Sequence, residues 1–182
     1  MLAQASLPLR YKLFNWRHGA PHGRPVRGLS PKARATYLGA LLTGPFGFQG
    51  NNTTRAFEYP WAVEALSPQP GQRILEIGGA LSGLQFVLDR LGCDVVNVDP
   101  SQELFTSGWP ITPATMARLN AALGTKVTLL NQFLEDVRFP DAHFDRVVSV
   151  SVFEHIPEPA LESLLREVKR ILKPGGLVVA TI

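Results

Sequence analysis

Ile74-Leu75-Glu76-Ile77-Gly78-Gly79-Ala80-Leu81-Ser82-Gly83 is the stretch on which the fold turns. An apolar run of strand length enters a turn of small residues, and the apolar positions from Leu84 onward then take helical spacing. Small residues let the backbone come close to a ligand, and the first amides of the helix face polar groups held there. Parallel α/β sheets use this strand–turn–helix arrangement to cradle nucleotide cofactors. Asp99 follows Glu76 by 23 positions and ends the next apolar run, Val95 to Val98. A carboxylate at that edge can accept from both hydroxyls of a ribose. The competing reading is a tight turn that serves only the chain.

Working outward, short β-branched runs alternate with amphipathic stretches from Gly71 onward. Arg73 to Ile77, Val95 to Val98, Val127 to Leu130, Arg146 to Val150 and Leu177 to Ile182 read as strands. Between them, Leu84 to Leu91 reads as a helix ended by Gly92. A second helix starts at Thr112-Pro113 and ends at Gly124, and a third spans Pro159 to Leu172. The alternation predicts a Rossmann-like, doubly wound parallel sheet in the order 3-2-1-4-5, with helices on both faces. Glu76 and Asp99 then sit at the C-terminal ends of adjacent strands.

The residues downstream add to the turn. Phe144-Asp145-Arg146-Val147 precedes Glu154-His155-Ile156-Pro157, and Leu172-Lys173-Pro174-Gly175-Gly176 precedes the last strand. In this order and spacing, residues 71–182 resemble the class I S-adenosylmethionine-dependent methyltransferases of small-molecule type. The resemblance implies that Glu76, Gly78, Gly79, Ala80 and Gly83 lie against the methionine part of S-adenosylmethionine. It also implies that Asp99 holds the ribose, that Phe133, Leu134, Glu135 and Asp136 flank the adenine, and that Ser151 lies near the methionine moiety. Phe133 stands where many relatives carry an aspartate. Ala80 and Ser82 stand where glycines are common, and Ala80 is tolerable if its φ is negative. The family normally adds a helix and two further strands after the fifth strand. The chain is therefore expected to be C-terminally incomplete, with Leu177 to Ile182 as an open edge prone to self-association.

The charge is divided along the chain. Residues 1–57 hold eight basic residues and no acid, a balance of +8. From Glu58 onward ten basic residues face fifteen acids, a balance of −5. Residues 1–29, with Pro8, Pro21 and Pro25, read as a basic, disordered or extended arm. Residues 30–70 read as a helical segment or lid, with helices over Lys32 to Leu42 and Thr54 to Leu66, the latter firm only after Pro60. The arm has three readings: a solvated tail, a contact for an acidic partner (nucleic acid and membrane surface included), or an organelle transit peptide. The single cysteine, Cys93, excludes an internal disulfide framework and a Cys-rich metal site, and reads as a half-buried thiol. No apolar run has the length of a membrane span or of a secretory signal, so a cytoplasmic location fits best.

His155 is the candidate catalytic base for an acceptor that arrives protonated; its alternative is to brace, with Glu154, the helix that follows. Arg55 in Arg55-Ala56-Phe57-Glu58-Tyr59-Pro60-Trp61 is placed to meet the cofactor carboxylate, with Tyr59 or Trp61 facing the sulfonium. The other reading is an aromatic cluster that packs the segment onto the sheet. His18, His22 and His143 suggest no metal site. The leading function is methyl transfer to a small molecule. The alternatives are a nicotinamide-dependent oxidoreductase, because Gly78-x-Ala80-x-x-Gly83 approximates a dinucleotide turn, and a non-catalytic methyltransferase-like binding module.

Overall fold

The computed structural model describes residues 7–30, 33, 36–101 and 110–182. Its centre is a five-stranded sheet of β1 (Arg73–Ile77), β2 (Asp94–Val98), β3 (Thr128–Leu130), β4 (Phe144–Val150) and β5 (Leu172–Thr181). The order is β3-β2-β1-β4-β5, and each neighbouring pair is parallel. Strands of this sheet are apolar on both faces, as a sheet covered on both sides requires. Ile74, Val95 and Val148 point into one core with Phe86, Met116 and Leu119; Leu75, Val98 and Val147 point into a second core with Leu164, Val168 and Ile171. Register places Glu76 beside Asn97 on one side and Val148 on the other, so β1, β2 and β4 end together.

Among the described residues, six helices accompany the sheet: α1 (Leu9–His18), α2 (Tyr37–Thr43), α3 (Arg55–Leu66), α4 (Leu84–Arg90), α5 (Pro113–Leu123) and α6 (Glu158–Ile171). The start of α5 is as expected, with the Thr112 hydroxyl accepting from Thr115 N at 3.1 Å, and it ends at Gly124 with φ +66°. β5 starts earlier than expected. Leu172-Lys173-Pro174-Gly175-Gly176 joins the strand through an irregularity, since Phe144 pairs with Leu172 but Arg146 with Leu177. β5 lies at the edge of the sheet and, among the described residues, pairs with β4 alone.

The N-terminal region departs most from expectation. Residues 9–18 form α1 rather than an extended arm, and Tyr11 is buried with its ring edge-on to Phe57 at 5.3 Å. The reason lies in α3, which starts at Arg55 and carries Pro60 inside it rather than becoming firm only after it. Proline cannot donate to the carbonyl four residues back. That carbonyl, on Ala56, instead accepts from Asn15 Nδ2 at 2.8 Å. The arm thus supplies the hydrogen bond that Pro60 removes. The helix expected over Lys32 to Leu42 is observed as Tyr37–Thr43, capped by the Thr36 hydroxyl. Pro31, Lys32, Arg34 and Ala35 lie outside the described residues. Cys93 is buried, and burial together with the Asp89 charge pushes its thiol above the ordinary range.

Candidate cofactor site

The turn after β1 is the floor of the site. Gly78 has φ +71° and donates to Val98 O at 2.9 Å, and a Cβ there would stand 2.6 Å from Val152 Cγ2. Only glycine fits that close approach. Ala80 has φ +44°, contrary to the negative value that its methyl would favour. A buried brace holds it there. Asn97 Nδ2 donates to Ala80 O at 3.0 Å and Gln85 Nε2 donates to the same oxygen at 2.9 Å. Asn97 Nδ2 also reaches Gln85 Oε1 at 2.9 Å. Neither Asn97 nor Gln85 stood out in the sequence. The signal was a polar residue at an inward position of β2 and another on the buried face of α4.

The amides of this turn are not left open to a ligand. Gly79 N donates to Asn97 Oδ1 at 3.2 Å, Ala80 N to Asp99 Oδ2 at 2.8 Å, and Leu81 N to Gln49 Oε1 at 2.9 Å. Leu84 N, at the start of α4, donates to the Ser82 hydroxyl at 3.3 Å. The expectation that helix amides face the ligand is corrected here for Gly79, Ala80, Leu81 and Leu84, whose amides are paired within the protein. Asp99 closes both ends of its carboxylate on backbone, with Oδ1 accepting from Ser101 N at 2.8 Å. Each carboxylate oxygen keeps a further lone pair for a ligand hydroxyl.

Among the described residues Glu76 is the most deeply buried carboxyl, 2% exposed. Its Oε1 accepts from the Ser82 hydroxyl at 3.1 Å, and its Oε2 has no partner. Ser82, in a place often glycine, therefore anchors the carboxyl. Burial pushes the Glu76 carboxyl up to about 8, opposed by the Ser82 hydrogen bond and reinforced by the Asp99 charge. A buried acceptor without a donor is costly and marks a place where a ligand donor would be welcome.

α3 and the loop before it form the roof. Arg55 Nη1 pairs with Glu58 Oε2 and donates to the Ser151 hydroxyl, which itself donates to Glu58 Oε1 at 2.9 Å. Burial raises the Glu58 carboxyl, but the bonds from Arg55 and Ser151 outweigh it and hold the group below the usual carboxylate range. Tyr59 packs against Phe46 at 5.1 Å between ring centres and donates to Asn51 Oδ1 at 2.8 Å. At Gly83, φ is +93° and a Cβ would come within 2.6 Å of Phe46 Cδ1, so the roof loop rests directly on the turn.

Roof and floor enclose a cleft of about 500 Å³, lined by Arg55, Tyr59, Glu76, Gly78, Asp99 and Ser151 among others. A smaller, more apolar hollow of about 280 Å³ adjoins it across Gly78, Pro100, Val152 and His155. Phe133, Leu134 and Glu135 line that hollow; Leu134 is buried, and Phe133 and Glu135 are exposed. His155 stands where the two meet, with its side chain 78% exposed and 3.9 Å from Glu154. The N-cap of α6 is Pro157, whose side chain makes no capping bond. Trp61, on α3, packs against the core and does not line the cleft. Among the described residues, no three His, Cys, Asp or Glu side chains gather where they could hold a metal ion. No described helix is long and apolar enough to cross a membrane.

The fold is that of a Rossmann-like α/β protein, with a cleft at the C-terminal ends of β1, β2 and β4. Residues 75–180 match the methyltransferase-domain family, and the chain belongs to that family, within the class I S-adenosylmethionine-dependent methyltransferases. It is 32% identical over 164 residues to a ubiquinone biosynthesis O-methyltransferase from Cereibacter sphaeroides, covering 88% of this chain and 56% of that protein. Among solved structures it is similar to a SAM dependent methyltransferase from Aquifex aeolicus, at TM-score 0.53 and 19% identity over 68% of this chain and 63% of that one. It is similar also to the cyclase SpnF, at TM-score 0.57 and 20% identity over 87% of this chain and 61% of that one. The chain thus spans about half the length of the curated relative to which it is matched.

Proposed function

We propose that this chain binds S-adenosylmethionine and takes part in transferring its methyl group to a small-molecule acceptor. The observation that carries the reading is the pairing of the turn. Gly79, Ala80 and Leu81 amides are already satisfied, and two carboxylates, Glu76 and Asp99, face the cleft. A pyrophosphate needs free amide donors close to it. This cleft offers the reverse, which suits a cationic nucleoside and speaks against a nicotinamide dinucleotide.

In this reading Glu76 Oε2 accepts from the cofactor ammonium, and Asp99 accepts from the ribose hydroxyls. Arg55 receives its carboxylate and Ser151 lies near its methionine moiety, with Gly78, Gly79, Ala80 and Gly83 shaping the floor. Phe133, Leu134 and Glu135 border the adenine in the apolar hollow. The cofactor supplies an electrophilic methyl on a sulfonium. The acceptor's nucleophile forms a bond to that carbon as the carbon–sulfur bond breaks, and the electron pair stays on sulfur. Such a displacement asks the protein for alignment and exclusion of water. His155, at the mouth, takes the proton of an acceptor that arrives protonated. The ubiquinone-pathway relative's name points to an oxygen nucleophile on a small, apolar acceptor. The same proposal places the protein in the cytoplasm, assigns the basic N-terminal segment to an acidic partner, and makes the β5 edge a surface for self-association.

Calorimetry with S-adenosylhomocysteine and with NAD tests the cofactor, and transfer of labelled methyl to a panel of phenols, catechols and amines tests the reaction. Binding of S-adenosylhomocysteine without NAD supports the reading. NAD binding, or no binding of either, overturns it. Cofactor binding with no transfer to any acceptor favours the non-catalytic module, the reading kept open by the methyl of Ala80 in the turn.

A further inference from the structure

α1 has two apolar faces, and only one is used. Tyr11, Phe14, Asn15 and His18 follow helical spacing and turn inward: Tyr11 onto Phe57, Phe14 onto the core, and Asn15 onto Ala56 O. Leu9, Leu13 and Trp16 are spaced i, i+4, i+7 and form the opposite stripe, exposed by 71%, 55% and 80%. Lys12 and Arg17 are exposed on its two flanks. Beside the end of the helix, Asn15, Trp16, Arg17 and Arg24 border a hollow of about 540 Å³. No acidic residue occurs anywhere in residues 1–57.

A solvent-facing stripe of two leucines and a tryptophan is more than isolated surface hydrophobics require. The adjoining charge decides what covers it. A protein groove would bury the apolar stripe but would not require cations along both of its flanks. A nucleic acid would use the cations but leave the leucines in water. A bilayer of anionic lipid uses both features: apolar side chains enter the acyl boundary, tryptophan sits at headgroup level, and the flanking cations meet phosphate. We infer that α1 docks the chain on an anionic lipid surface, with Leu9, Leu13 and Trp16 inserted and Lys12, Arg17 and Arg24 at the phosphodiester level.

Flotation of the full chain with vesicles tests this. The protein binds phosphatidylcholine vesicles containing phosphatidylglycerol and not pure phosphatidylcholine vesicles, and added salt weakens the binding. The double variant Leu13→Glu/Trp16→Glu loses about tenfold or more of the partitioning, because the inserted apolar area is gone. Lys12→Glu/Arg17→Glu weakens it by about tenfold as well, through the phosphate contacts. All four positions are exposed, so melting temperatures stay at the wild-type value and separate docking from folding. Tryptophan emission shifts to the blue on adding the anionic vesicles, and the shift disappears in Trp16→Phe. Failure of the wild type to float, or flotation unchanged in both double variants, overturns the inference. Binding to RNA or heparin without binding to anionic vesicles also overturns it and assigns the cations to a nucleic acid.

Discussion

Asp99 Oδ2 accepts the backbone N–H of Ala80 at 2.8 Å, which ties the end of β2 to the left-handed residue of the turn after β1. One carboxylate therefore both shapes the turn and presents itself to a ribose. Replacing it removes the charged acceptor and loosens the floor together. A hydrogen bond to a charged group contributes about 1.5–3 kcal/mol. Asp99→Ala should weaken S-adenosylhomocysteine binding by about tenfold or more. Isothermal titration showing an affinity equal to wild type would mean that Asp99 does not hold the ligand.

Ala80 invites the opposite kind of substitution. A non-glycine residue in the left-handed region costs about 1–2 kcal/mol. Glycine relieves that cost, although it adds freedom to the unfolded chain worth about 0.4–1 kcal/mol. Ala80→Gly should therefore leave stability unchanged or raise it by up to about 1.6 kcal/mol, seen as about 0–6 °C in the melting temperature. A clear fall would show that the methyl packs usefully where it stands. The same variant should also open the approach to the cleft, so cofactor affinity should not decline.

These two residues also show how far the sequence could be read. The sheet order was legible because short strands alternate with amphipathic helices from Gly71 onward and a cofactor-type turn follows the first strand. Glu76 and Asp99 followed from their places at strand ends, and both line the cleft. The brace of Asn97 and Gln85 was not legible, because a single buried amide in a strand or helix has no periodic signature. Nor was the pairing of the turn amides, which depends on Gln49 reaching from a loop 32 positions before Leu81. α1 was hidden for a local reason. Its arginines and the surrounding prolines resemble a tail, and its partner is a carbonyl orphaned by Pro60 in another helix. Long-range pairing of that kind leaves no trace in local composition.

Glu76 makes stability depend on pH. Its carboxyl is pushed up to about 8 in the folded protein, chiefly by burial, above the ordinary 4.5 of an unfolded glutamate. Between those values the folded state binds more protons than the unfolded state, so stability falls as pH rises. The contribution is fully present below about pH 4.5 and fully lost above about pH 8. Glu76→Gln should remove this slope, and its melting temperature should exceed that of wild type at pH 8.5 by more than at pH 5. A cationic ligand at Oε2 favours the ionised form, so binding should release protons. Calorimetry in two buffers of different ionisation enthalpy measures that release. Equal heats in both buffers would exclude ionisation of Glu76 on binding.

The last prediction concerns α1 as a part of the fold. Tyr11 is buried against Phe57, Arg10 meets Glu64 at 2.9 Å, and Asn15 serves the Ala56 carbonyl. The Arg10–Glu64 pair is exposed and contributes little on its own. Truncating a large buried aromatic ring costs about 3–5 kcal/mol when its surroundings cannot collapse. α1 lies at the periphery, where α3 can shift, so Tyr11→Ala should cost somewhat less, about 2–3 kcal/mol. Asn15→Ala leaves Ala56 O without its donor and should cost about 1–2 kcal/mol. Asn15→Asp should be no better, because a carboxylate cannot donate to that carbonyl. For a chain of this size the Tyr11 variant should melt about 4–12 °C below wild type. Deleting residues 1–29 should lower the melting temperature by at least as much. It should also weaken S-adenosylhomocysteine binding, because α3 carries Arg55 into the roof of the cleft. The measurement is thermal unfolding of the three variants and the deletion beside the intact chain. A deletion that melts with the wild type would return residues 1–29 to the status of a tail and would leave the Ala56 carbonyl to solvent.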